Sequence, residues 1–134
     1  MKHIPRSTLT AAALRICVAS AVASTVLVQA PIASAHVAIV STTPARGSTV
    51  SVAPTQVSML FSEPPISTRP ILSVTGPDGK TYSSDTPYPS GAALNVQLHT
   101  TPPQPPGTYT VTWQVTADDG HVQNGSWSYT LQNH

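Results

Sequence analysis

From residue 57 onward the chain alternates apolar and polar positions in short runs. Val57, Met59 and Phe61 alternate with Ser58, Leu60 and Ser62, and Leu94, Val96 and Leu98 with Asn95, Gln97 and His99. Tyr109, Val111, Trp113 and Val115 alternate with Thr110, Thr112 and Gln114, and Trp127, Tyr129 and Leu131 with Ser128 and Thr130. A period of two is that of a strand with one face buried. Ile71-Leu72-Ser73-Val74-Thr75 is a further strand candidate, and Val37-Ala38-Ile39-Val40 is a short apolar run suited to a first strand. The last two alternating runs flank a polar loop at 116–124 and so predict an antiparallel hairpin with one aromatic face.

The breaks between these runs carry turn chemistry. Thr42–Ser48 holds Pro44 and Gly47, Pro64-Pro65 ends the run at Phe61, and Gly76-Pro77-Asp78-Gly79 is a turn. Residues 82–92 read as a loop or a broken edge strand, and 101–107, with four prolines, as a rigid crossover. No segment shows a helical stripe, and the prolines argue against long helices. The expectation is an all-β fold, a Greek-key β-sandwich or barrel of about seven strands.

The first 35 residues have a different character. Lys2, Arg6 and Arg15 precede an uncharged run, Ile16–Val28, and Ala33 and Ala35 occupy the −3 and −1 places of a cleavage site. That order is a secretory signal peptide, and the run is shorter than the about 20 residues that span a bilayer. The expected organisation is a removed signal peptide, 1–35, and one β domain, 36–134, soluble in the periplasm or cell-wall space. Cys17, the only cysteine, leaves with the leader, so any metal must be held by nitrogen and oxygen. The domain keeps Arg46, Arg69 and Lys80 against Glu63, Asp78, Asp85, Asp118 and Asp119. The +1 charge of the precursor becomes −2 with histidines neutral. No basic patch survives to bind nucleic acid.

Cleavage after Ala35 makes His36 the first residue, with a free α-amine beside its imidazole. A second donor pair lies in the hairpin loop, where Asp119 and His121 are two residues apart and point the same way on extended backbone. Gly120 between them permits a tight turn. On spacing alone an ordinary Asp-Asp-Gly turn is the more common reading of this loop.

The residues from His36 onward resemble the CopC family of periplasmic copper-binding proteins. The resemblance rests on His36-Val37-Ala38 after a signal peptide, Thr43–Ser48, Leu60-Phe61-Ser62-Glu63, Gly107–Trp113, and Asp119-Gly120-His121 with Gly125 following. It implies an Ig-like Greek-key β-barrel and one Cu(II) per chain. The implied ligands are the amine and imidazole of His36 with Asp119 and His121. Three nitrogens and a carboxylate oxygen suit the tetragonal preference of Cu(II). Glu63 matches an acidic position of the family and is expected no nearer than behind the ligands. Asp118 is expected to be a solvated loop residue, and His99 and His134 match no ligand of the family. Some members carry a methionine-rich Cu(I) site. Here the domain has one methionine, Met59, on the apolar face of a strand, so no Cu(I) site is expected.

The function expected is that of a non-enzymatic copper carrier or buffer in copper resistance or homeostasis, monomeric, with a separate membrane copper transporter as a partner the sequence does not name. No transmembrane tail is expected to fuse the domain to such a transporter. Two alternatives belong to other classes. A copper-dependent oxidative enzyme would resemble lytic polysaccharide monooxygenases in its N-terminal histidine chelate, although 99 residues leave little for a substrate surface. A metal-free Ig-like interaction module would give no copper signal at all.

Overall fold

A computed structural model describes residues 36–133, so the signal segment and His134 lie outside the described residues. Eight strands follow one another: β1 (Ile39–Thr43), β2 (Thr49–Val50), β3 (Gln56–Phe61), β4 (Ile71–Thr75), β5 (Tyr88–Ser90), β6 (Ala93–Gln97), β7 (Gly107–Thr116) and β8 (Val122–Leu131). They form two four-stranded sheets, in the orders β1-β3-β6-β5 and β2-β8-β7-β4. The chain crosses between sheets after β1, β2, β3, β4 and β6. All pairings are antiparallel except that of β2 with β8. The fold is the expected all-β sandwich, and no helix among the described residues is long and apolar enough to cross a membrane.

The inward positions are those the alternation marks. Val57, Met59 and Phe61 of β3 face Val111, Trp113 and Val115 of β7 through one core that also takes Leu94, Val96, Trp127, Tyr129 and Leu131. Fully burying each aliphatic side chain among them contributes about 1.5–3 kcal/mol. Phe61 meets Trp113 edge-on at 6.0 Å, a contact from one sheet to the other. Tyr109 and Tyr129, paired directly across β7 and β8, stack at 5.2 Å. The Tyr109 hydroxyl donates to the Pro105 carbonyl at 2.6 Å, which ties the proline-rich crossover to the start of β7.

Three differences from the sequence expectation bear on architecture. The first strand begins at Ile39, leaving residues 36–38 as an arm ahead of it. The six runs named from the sequence are joined by two short strands, β2 and β5, to make eight, and β5 takes up the edge-strand alternative for residues 82–92. β5 contains Pro89, which an edge strand tolerates. The polar loop expected at 116–124 is only the five residues between Thr116 and Val122, because β8 begins at Val122. That early part of β8 escaped the alternation because its inward positions are held by Gln123 and Gly125, neither of them a hydrophobic marker.

Candidate metal centre

The arm is fixed to both sheets before β1 begins. The Val37 side chain is buried in the core. Ala38 donates its N–H to Ser62 Oγ at 3.0 Å and accepts the Ser62 N–H at 2.8 Å. This pairs the arm with the end of β3. From the other sheet, Gln123 Oε1 accepts the Val37 N–H at 3.1 Å. His36 is therefore exposed but sits on an anchored base.

The β7–β8 connection is held as closely. The Ala117 N–H donates to the His121 carbonyl, and the Gly120 N–H to the Ala117 carbonyl, each at 2.9 Å. Gly120 has φ of +84°, a left-handed conformation that a Cβ would strain. Within this turn both oxygens of Asp119 engage His121: Oδ1 accepts its N–H at 2.9 Å, and Oδ2 lies 2.9 Å from its Nδ1. The His121 N–H and imidazole hold the Asp119 carboxyl below the usual carboxylate range, and the charge of His36 adds to the effect. The carboxylate side chain is 24% exposed and the imidazole 72%, so the pair presents a histidine ring to solvent over a sheltered acid. Nδ1 faces Asp119 and Nε2 is the open nitrogen of that ring, so the carboxylate must release Nδ1 to share an ion with Nε2.

The ring of His36 lies parallel to that of His121, with centroids 6.5 Å apart and planes 9° from each other. The structure thus brings all three expected ligands to one end of the sandwich. They are gathered but not closed, since no group of three His, Cys, Asp or Glu among the described residues forms a ready cage. The donors are nitrogen and oxygen throughout, a set that fits a divalent copper ion.

The other candidates lie elsewhere or apart. Glu63 is exposed, next in sequence to the Ser62 that holds Ala38, and Asp118 is exposed in the loop. His99 follows the end of β6, where its N–H donates to the Tyr82 carbonyl and its own carbonyl accepts from Gln104. Met59 is fully buried in the core. Two residues that position the arm, Ser62 and Gln123, were not singled out from sequence. Gln123 was masked by its place in a stretch that reads as loop.

The chain is thus a two-sheet β domain with a cluster of nitrogen and oxygen donors at one end. The family model for the CopC domain matches residues 39–132, and the chain belongs to the CopC family. The domain is similar to the crystal structure of CopC from Methylosinus trichosporium OB3b, at 20% identity and a TM-score of 0.64 over 74% of this chain and 96% of that one. It is also similar to PcoC, a methionine-rich copper resistance protein from Escherichia coli, at 23% identity and a TM-score of 0.61 over 73% of this chain and all of that one. At these identities the likeness establishes the fold. No curated protein matches the chain by sequence.

Proposed function

We propose that the chain is exported, cut after Ala35, and then binds one Cu(II) as a periplasmic or cell-wall carrier or buffer in copper resistance. The ligands are the α-amine and imidazole of His36, the carboxylate of Asp119 and the imidazole of His121. The observation that carries this reading is the convergence of His36 on the Asp119–His121 pair from the opposite end of the sequence. Membership of the CopC family and the likeness to PcoC, described as a copper resistance protein, support copper as the cargo.

The amine and imidazole of one residue close a chelate ring, so the second donor binds with little further loss of freedom. Cleavage releases the domain and in the same step creates a ligand, because an amide nitrogen at Ala35–His36 is no ordinary donor. PcoC is described as methionine-rich, whereas the only methionine here after residue 35 is buried in the core. The chain therefore handles Cu(II) and has no thioether site for Cu(I). The role is carriage, with copper passed to or from a membrane transporter.

Titrating Cu(II) into the protein beginning at His36, and into a form with one extra residue ahead of it, tests the reading. The first form is expected to bind tightly with a nitrogen-rich EPR spectrum, and the second to bind far more weakly. Equal affinities would refute the chelate.

A further inference from the structure

Gln123 occupies a position where the strand pattern calls for a hydrophobic side chain. Along β8 the inward phase runs Gln123, Gly125, Trp127, Tyr129, Leu131, and Gln123 stands directly opposite the buried Val115. Its amide oxygen faces the Val37 N–H at 3.1 Å. That N–H precedes the first ladder pair of β1, at Ile39, and belongs to a residue whose side chain is in the core. A backbone donor in such a place needs a partner, and Gln123 is the one it has.

The contact also crosses the sandwich. Ser62 fixes Ala38 to the sheet containing β1 and β3, whereas Gln123 belongs to the strand that follows His121. The hydrogen bond thus joins the residue next to His36 to the residue two beyond His121. We infer that Gln123 is a positioning residue for the metal centre: its side-chain amide sets where the N-terminal arm lies relative to the Asp119–His121 pair. The inference rests on the reading of His36, Asp119 and His121 as ligands, and assigns the arm's placement to Gln123. Gln123 does not itself touch the ion. It makes the chelating residue and the hairpin ligands one preorganised unit, so less ordering is left for binding.

The test uses the exported, processed protein as wild type, Gln123→Leu and Gln123→Glu. Leucine fills the inward position with a side chain of similar size and removes the acceptor, and glutamate keeps the acceptor. In the metal-free protein, Val37 amide exchange is expected to accelerate about tenfold in Gln123→Leu, the scale of one neutral hydrogen bond, with exchange in β7 unchanged. Cu(II) release to a competing chelator is expected to accelerate about tenfold in the same variant. Its urea midpoint is expected to fall slightly, because the Val37 N–H loses its partner, with unfolding still a single cooperative transition. Gln123→Glu is expected to restore both rates, which a merely structural role would not require.

Unchanged Val37 exchange in Gln123→Leu overturns the proposal. So does faster exchange with unaltered Cu(II) release. If wild type itself binds no Cu(II), the reading of the site fails, while Val37 exchange in the metal-free variants still decides whether Gln123 holds the arm.

Discussion

The imidazoles of His36 and His121 lie parallel, 6.5 Å apart between ring centroids. They reach that position by different routes, one on an arm clamped between the two sheets and the other on a turn locked by Asp119. Neither ring is packed into the core, so their alignment is set by backbone anchors beneath them. On the proposed ligand set, replacing either ring is expected to remove a metal donor while leaving the core packing intact. His36→Ala and His121→Ala should each weaken Cu(II) binding more than about a hundredfold, beyond what loss of a group behind the ligands causes. His99→Ala should leave binding unchanged. Competition with a chromophoric chelator checks all three, with circular dichroism as the control for folding.

Asp119 links the site to acid stability. Its carboxyl titrates below the usual range in the folded protein because the His121 N–H and imidazole favour the charged form. Between the folded and unfolded values the unfolded chain holds the proton and the folded chain does not, so stability rises with pH across that window. The contribution is complete above the ordinary carboxylate value, about 4, and is lost as pH falls through the lowered one. In metal-free protein, the urea midpoint of wild type should exceed that of Asp119→Asn at about pH 5. The margin should shrink below about pH 4. A margin independent of pH down to about pH 2.5 would contradict this account of the pair.

Much of this arrangement was legible in the residues. The inward face of β7 is written in Tyr109, Val111, Trp113 and Val115, because a sheet with one buried face must alternate. His36 and the Asp119–His121 pair were visible as donors, and the family resemblance joined them. The early part of β8 was not visible. Gln123 satisfies a backbone donor, and Gly125 makes room for an indole, so at both positions tertiary contacts override the hydrophobic pattern. β2 is two residues long and is defined by its partner Thr130-Leu131, a relationship no local pattern encodes.

Gly125 gives a direct test of that override. A Cβ there would lie 3.1 Å from Nε1 and Cζ2 of Trp113, its partner across β7. Trp113 meets Phe61 edge-on, so the indole has little room to retreat. Gly125→Ala is expected to destabilise the domain by about 1–2 kcal/mol, the cost of overpacking less the small gain alanine brings in unfolded-chain entropy. Denaturation followed by tryptophan fluorescence measures it, and the emission maximum should shift as the indole is displaced. Gly125→Ala combined with Trp113→Phe should lose less than the two changes summed, because the smaller ring frees the space.

The stacked tyrosines predict a limit at the alkaline end. Burial pushes the Tyr109 phenol up to about 12, and that of Tyr129 higher still. In the unfolded chain both ionise near 10, so above that pH the unfolded state releases protons that the folded state keeps. Their contribution is fully present below about pH 10 and declines as pH rises toward the folded values, by up to about 1.4 kcal/mol per pH unit for each tyrosine. Urea midpoints measured from pH 9 to 11.5 should therefore fall steeply, and each Tyr→Phe variant should flatten the fall by one group's share. The two variants separate at neutral pH. Tyr109→Phe forfeits the hydrogen bond to the Pro105 carbonyl and should lose about 1 kcal/mol. The Tyr129 hydroxyl is buried with no protein partner, so Tyr129→Phe should be neutral or stabilising at pH 7. A loss at Tyr129 as large as that at Tyr109 would show that the two hydroxyls are equally well satisfied, against the geometry of the pair.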